Sequence, residues 1–372
     1  MFSSGFVVGY LLLNTYVLLR IGALVTHWGF RISLAAGFIL IVAAFPVTEA
    51  LSHSTASLWL DPVLMAGYCA LPFLLYLFLL VMLLDLFRLF NRFARVIRQD
   101  VLSGRRFRTA SLSLLLAIPA VTVAAGIWKN NTIVINEYRV EVPRRASPLR
   151  HLRIALAADF HLKEQTGSRF MEHFVGKVNS LGADILLIPG DLLEGDRQEA
   201  RLEEFEQQFR LIRTKDGIFA SPGNHEYFGR RSRGDFFEKS GIVLLRDSVV
   251  VVDGAFAVVG RNDSRVRGRK MIGELMRPVG DHLPVIVLDH RPTDLEGASA
   301  ANADLLLCGH THDGQLFPFN LITARVYEVS WGYKKVRNTH VFVTSGIQLW
   351  GPPVRTAGDS EIMAIDVDFN DR

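Results

Sequence analysis

The spacing of apolar and polar positions divides the chain in two. In the first 130 residues the apolar runs are long and nearly free of charge: residues 1–19, Ile32–Thr48, Val63–Leu84 and Ala110–Trp128. A helix needs about 20 apolar residues to cross a bilayer core, so four membrane spans are predicted. For the first two, one ending at Arg20 and one slightly short, a buried-helix or hairpin reading competes. From about residue 150 the runs shorten. "HLRIALAADFH", "ADILLIPGD", "GIFASPGNHE", "LPVIVLDHRP", "ADLLLCGHTH", "HVFVTSG" and "EIMAIDVD" read as buried strands, the first five with polar residues gathered at or beyond their C-terminal ends. Segments 168–181 and 197–213 have helical spacing of apolar residues and charged opposite faces, as solvated covering helices do. The expected organisation is a four-helix transmembrane domain over residues 1–130, a linker with an edge strand over 131–149, and an α/β domain over 150–372.

Charge adds an orientation. Arg88, Arg92, Arg95, Arg98, Arg105, Arg106 and Arg108 lie between the third and fourth runs, whereas Glu49–Asp61 contains no Lys or Arg. The positive-inside rule places the arginine-rich connection in the cytoplasm and everything after Trp128 outside. Lys129, Arg139, Arg144 and Arg145 pull the other way, but a long folded domain translocates largely regardless of such charge. The arginines serve as a topology signal and headgroup anchor rather than a nucleic-acid site. Net charge of +4 averages two unlike halves and says little about either surface. Two cysteines, Cys69 and Cys308, suggest no disulfide framework.

Chemistry gathers at the strand ends. In order they carry Asp159 and His161, Asp191, Asn224 and His225, His290, and His310 and His312. One D-x-H or H-x-H alone is more often a satisfied turn than a metal site. Five such ends in sequence bring distant ligands to one crevice, as open α/β sheets do. Carboxylate, imidazole and amide oxygen together suit manganese, iron or zinc better than calcium, and the absence of thiolates argues against a structural zinc site. No phosphate-binding G-x-x-x-x-G-K loop and no internal repeat occur.

The ordered set D-x-H, G-D, G-N-H-E, H and G-H-x-H resembles the signature of the calcineurin-like metallophosphoesterases over roughly residues 150–370. The resemblance implies a four-layer α/β/β/α sandwich holding two divalent metal ions. It implies that Asp159, His161 and His312 hold one metal, that Asp191 bridges, and that Asn224, His290 and His310 complete the second site. It implies that His225 lies near the leaving group rather than on metal. Two metals about 3.5–4 Å apart would bind phosphoryl oxygens and supply hydroxide at neutral pH. A protonated His225 would then donate to the departing oxygen or stabilise charge developing around phosphorus.

"GHTHDGQLFPF", "TSGIQLWGPPVR" and "SEIMAIDV" are similar to the membrane-anchored branch of that family, which is loosely similar to UDP-diacylglucosamine pyrophosphatases. Asp313 stands where that pattern has glycine. It either tolerates the left-handed turn and adds a carboxylate behind a metal-bound histidine, or marks a different turn. Two arginine-rich loops, "YFGRRSRGDFF" and "GRNDSRVRGRK", are either solvated faces or phosphate-recognising forks. Phe317, Phe319, Trp331 and Tyr333 with Lys334 and Lys335 are either core or a flap against the bilayer. The expected activity is metal-dependent hydrolysis of a phosphodiester or pyrophosphate bond, on a phosphorylated lipid or envelope substrate, outside a bacterial-type plasma membrane. The membrane tether speaks against nucleic acid as substrate. A cytoplasm-facing nucleotide-lipid pyrophosphatase and a non-catalytic membrane receptor or scaffold are the competing readings.

Overall fold

The computed structural model describes residues 4–52, 61–163, 166–194, 201–228 and 234–371. These form two compact units, Met1–Ile127 with Gly351–Val354, and Trp128–Trp350 with Arg355–Arg372. The first contains α1 (Ser4–Gly22), α2 (Trp28–Ser52), α3 (Asp61–Ala94), the short α4 (Gln99–Ser103) and α5 (Arg105–Asn130). Among the described residues, four of these, all but α4, are long and apolar enough to cross a membrane. Val17 and Ile21 of α1, Phe38 of α2, Leu74, Leu77 and Val81 of α3 and Leu115 of α5 share one buried cluster. Leu12, Leu19, Leu40, Leu83 and Val121 stay exposed, as a lipid solvent permits.

Two helix ends differ from the sequence expectation. α1 does not stop at Arg20, because that guanidinium pairs with Asp85 of α3 and Tyr16 Oη donates to the same carboxylate at 2.7 Å. A charge partnered in this way is tolerable near a membrane boundary. α3 runs ten residues past the apolar limit at Leu84, so Arg88 and Arg92 are helical, as are Arg105, Arg106 and Arg108 at the start of α5. The basic cluster is therefore mostly two helix ends rather than a loop. Long cationic side chains at such ends reach the headgroup layer.

The second unit runs β1 (Ile133–Pro143), β2 (His151–Leu156), α6 (Ser168–Leu181), β3 (Ile185–Pro189), α7 (Leu202–Arg210), β4 (Ile218–Ser221), α8 (Gly234–Lys239) and β5 (Ile242–Leu244). It continues through β6 (Ser248–Val252), β7 (Phe256–Gly260), α9 (Ile272–Met276), β8 (Val285–Leu288), α10 (Leu295–Ala300) and β9 (Leu305–Cys308), then α11 (Asn320–Val326), β10 (Gly332–Val336), β11 (Thr339–Val343) and β12 (Ser360–Asn370). The described strands form two six-stranded sheets, ordered β1-β12-β2-β3-β4-β5 and β10-β11-β9-β8-β7-β6.

Strand alternation explains how these sheets stack. On β3, Ile185 and Leu187 enter the central cluster while Leu186 and Ile188 enter the one containing α6 and α7 residues. On β8, Ile286 and Leu288 join the same central cluster, whereas Val285 and Val287 pack with Ile272 and Leu275 of α9 and Ala298 of α10. A side-chain period of two thus feeds three cores at once, giving the helix–sheet–sheet–helix layers. It also explains why these strands read as continuous apolar runs: both faces are covered. The predicted helix over 168–181 is α6, with Gly182 in the left-handed region as its cap. Of the predicted 197–213 helix, residues 197–200 lie outside the described residues and α7 spans Leu202–Arg210. β5, β6, β7 and β10 add to the seven predicted strands.

Candidate metal centre

Neighbouring parallel strands carry the polar residues to one edge. β2, β3 and β4 are successive and parallel in the first sheet, and β8 and β9 are parallel neighbours in the second. Asp159 and His161 follow β2, Asp191 follows β3, Asn224 and His225 follow β4, His290 follows β8, and His310 and His312 follow β9. Ligand atoms of Asp159, His161 and His312 lie within 4.8 Å of one another. So do those of Asp191, His290 and His310, and those of His161, Asp191 and His225. Asp191 belongs to two of these groups and His161 also to two.

The proton positions make the arrangement informative. His161 Nδ1 lies 2.7 Å from Glu194 Oε2, so that nitrogen carries the hydrogen and Nε2 presents a lone pair. Nε2 faces His312 Nε2 at 3.1 Å. His290 Nδ1 lies 3.0 Å from the Pro189 carbonyl and donates to it, which leaves Nε2 as the nitrogen turned to the site. This nitrogen faces Asp191 Oδ2 at 3.0 Å and His310 Nδ1 at 3.2 Å. Nitrogens and carboxylate oxygens that converge this closely need a cation, either a proton or a metal ion, between them. Borderline divalent ions bind this mixture of imidazole and carboxylate, so the donor set fits a metal at each place.

Burial pushes Asp159 up to about 6, whereas the imidazoles around Asp191 outweigh its burial and hold its carboxyl well below the usual range. Burial would lower His290, but Asp191 and Asp159 push it up to about 10, so its Nε2 holds a proton against Asp191 that a metal ion would have to displace. Burial and the charge on His290 push His310 down to about 3, leaving it neutral as a ligand must be. His225 is raised: burial opposes its charge, but the carboxylates of Glu194, Asp191 and Glu226 prevail. Its Nδ1 lies 2.9 Å from Glu194 Oε2, outside hydrogen-bonding alignment, so this contact is an ion pair. Its Nε2 stands 4.0 Å from Asp191 Oδ2.

The backbone is bent to serve the site. Asp159, His161, Asp191, His310 and His312 all have positive φ, from 44° to 74°. Non-glycine residues there cost of order 1–3 kcal/mol each, which the surrounding structure must offset. Glu226 supplies part of that restraint. Its carboxylate accepts from the amides of Asp191, Leu192, Leu193 and Gly223 at 2.6–3.0 Å, locking two ligand loops together. Gly223 is small by necessity, since a Cβ there would run into the Asp191 carboxylate.

Sequence reasoning missed Glu194, Glu226 and Arg291. Glu194 and Glu226 sit three residues after Asp191 and one after His225, and only their geometry gives them work. Arg291 donates from Nη2 to Asn224 Oδ1 at 3.1 Å and from Nε to buried Asp263 at 2.7 Å. The adjacent His290 was the visible signal for it. Of the arginine-rich loops, Arg230, Arg231 and Arg233 lie outside the described residues. In the other, Arg261 and Arg269 are both bonded to Asp289, and Arg265 lies over the Phe228 ring at 4.9 Å. Arg261 and Arg269 are thus bound in ion pairs. Asp313 takes the left-handed conformation at φ 46° and ψ 39°, doing what glycine would do. His312 Nδ1 is buried without a hydrogen-bond partner among the described residues, so Asp313 does not orient it.

The family model of the calcineurin-like phosphoesterases matches residues 152–314, which places this fold and donor set in the class of metal-dependent phosphoesterases. A Danio rerio protein named transmembrane protein with metallophosphoesterase domain is 30% identical over 309 residues, covering 78% of this chain and 70% of its own. An uncharacterized metallophosphoesterase of Helicobacter pylori is 30% identical over 220 residues, 57% of this chain, and the match spans 59% of that relative's length. A UDP-2,3-diacylglucosamine pyrophosphatase of Chlamydia trachomatis is 32% identical over 125 residues, 32% of this chain and 36% of its own. The chain belongs to the calcineurin-like metallophosphoesterase family.

Proposed function

We propose that this protein is a multi-pass membrane phosphoesterase that uses two divalent metal ions to cleave a phosphodiester or pyrophosphate bond in a lipid- or envelope-linked substrate. One observation carries the reading: imidazole nitrogens and carboxylates gather in two clusters of possible ligands, and Asp191 lies 3.9 Å from His161 of one and 3.0 Å from His290 of the other. Asp159, His161 and His312 would hold one ion, Asn224, His290 and His310 the other, and Asp191 both. Divalent ions bound there supply charge neutralisation and Lewis acidity for an anionic phosphoryl group.

The chain's own residues supply the rest. Glu194 fixes the His161 tautomer, so the nitrogen facing His312 is the one with a free lone pair. The same carboxylate and Asp191 favour the charged form of His225, which is thereby equipped to give a proton to a departing oxygen. Once the amide oxygen of Asn224 is committed elsewhere, Arg291 Nη2 is free to turn to a phosphate oxygen while Nε stays on Asp263. A receptor or scaffold would need neither a complete donor set nor a charged histidine beside it.

A lipid- or envelope-linked substrate is supported by the four spans and by partial similarity to a relative named as a pyrophosphatase of a diacylated sugar nucleotide. An extracytoplasmic catalytic domain is supported by the arginines at the facing ends of α3 and α5. The test is hydrolysis of bis-p-nitrophenyl phosphate by the full chain in detergent. Turnover should require added divalent metal and stop on chelation. His225→Ala should retain bound metal and lose about 10²–10⁴ in rate; unchanged turnover would remove His225 from the mechanism.

A further inference from the structure

α11 is an unusual surface element. It is a helix of seven residues with no buried side chain, and three of those residues are large and apolar. Leu321, Ile322 and Val326 are 51%, 57% and 68% exposed, and Phe317 and Phe319 just before them are 52% and 43% exposed. Nearby in sequence, Trp331 and Tyr333 are each 42% exposed. Scattered apolar residues on a surface need no explanation, but a hydrogen-bonded helix that presents every apolar side chain outward does.

The segment is also fixed in place at both ends. Before the helix, the Phe317 amide donates to Thr356 Oγ1 at 2.9 Å and Leu316 is buried. After it, the Tyr327 ring meets His310 edge-on at 6.2 Å. The apolar residues therefore hang between the turn that carries His312 and a ring that touches His310. They form part of the rim of the metal centre.

We infer that residues 317–326 are a bilayer-inserting element, which seats the rim of the site in the lipid interface. Three features favour lipid over a protein partner. The domain is held at a membrane by its own chain, since α5 ends at Asn130 and β1 begins at Ile133. Arg325 within the helix and exposed Lys335 just beyond it in sequence add positive charge, which suits anionic headgroups, while Lys334 is paired with Glu328 at 2.8 Å. Half-exposed Trp331, whose Nε1 is bonded to Glu361 at 2.8 Å, and Tyr333 are the side chains that favour the headgroup level. The surface stands on this geometry alone. Its consequence for substrate rests on the phosphoesterase reading: a phosphate could reach the site while its acyl chains remain in the bilayer.

The test uses the full chain with Cys69→Ser, since Cys308 is buried. Ile322→Cys is labelled with an environment-sensitive fluorophore and reconstituted into vesicles of phosphatidylcholine and phosphatidylglycerol. A label at Glu172→Cys, on an exposed position of α6, serves as the water reference. Insertion predicts blue-shifted emission at position 322 and at least about a twofold loss of fluorescence to nitroxides placed on the upper acyl chain. The reference label should show neither. Water-like emission at 322 would overturn the proposal. So would a shielded label that lipid nitroxides cannot quench, the result expected if a second copy of the chain covered the helix. Val326→Cys repeats the measurement should Ile322→Cys fail to fold. Turnover is not read, so a chain that inserts but does not hydrolyse sinks only the enzymatic reading.

Discussion

Glu194 shows how one side chain can govern two others. Its carboxylate lies 2.7 Å from His161 and 2.9 Å from His225, so losing its charge disturbs a metal-facing tautomer and a proton donor together. Outer partners of this kind typically contribute 10–100-fold to metal affinity or activity. Glu194→Gln should lower turnover of bis-p-nitrophenyl phosphate by about that factor with the fold intact, as judged by thermal unfolding. Wild-type turnover in that variant would mean the contacts are incidental. The candidate ligands were legible one by one, because strand ends and short motifs announce them. Glu194, Glu226 and Arg291 were not, because their roles come from neighbours far away in sequence: 33 positions separate His161 from Glu194, and 67 separate Asn224 from Arg291.

A second residue-scale prediction concerns pH. Burial pushes Asp304 up to about 6 from an ordinary 3.8, even though it accepts from the Val285 amide and pairs with Arg145. The folded chain therefore binds this proton more tightly than the unfolded chain. Its contribution to stability is complete below the ordinary value and is lost as pH rises to about 6. Asp304→Asn removes that dependence. Its melting temperature relative to wild type should be higher at about pH 8 than at about pH 4, by up to about 3 kcal/mol in stability. An equal difference at both pH values would contradict burial as the governing effect.

At the scale of elements, the site depends on short turns after β2, β3, β4 and β9, two of which close as single 3-10 turns, His225–Tyr227 and His312–Gly314. Glu226 bonds two of them together, and Gly223 leaves room for the carboxylate between. Gly223→Ala should cost several kcal/mol, by overpacking a fully enclosed position, and should lower metal content along with stability. A variant that unfolds like wild type and binds metal normally would show that the turn can adjust. The two central strand sets were readable as apolar runs. The β6–β7 hairpin falls outside the predicted strands, although Asp253-Gly254 between valine runs is itself a hairpin signal. The ends of α1 and α3 were hidden for another reason. Arg20 stops an apolar run but not a helix, once Asp85 is there to meet it.

For the whole molecule, access to substrate depends on which side of the membrane the domain faces. The arginine-bearing ends of α3 and α5 favour a cytoplasmic location for themselves and so an exterior catalytic domain. A C-terminal reporter active only outside the cytoplasm should therefore report, and a cytoplasm-only reporter at the same position should stay silent. The reverse pattern would favour the cytoplasm-facing nucleotide-lipid pyrophosphatase. Neither result bears on whether the protein is an enzyme.

That claim rests on Asp191 standing between two donor sets. The most direct measurement is metal content and bis-p-nitrophenyl phosphate turnover on one purified sample of the full chain, wild type beside Asp191→Ala. The wild type should hold two divalent ions per chain and hydrolyse the diester, and the variant should lose bound metal and all measurable turnover. A variant that keeps both, or a wild-type chain that binds no divalent ion under metal-replete conditions, would contradict the assignment.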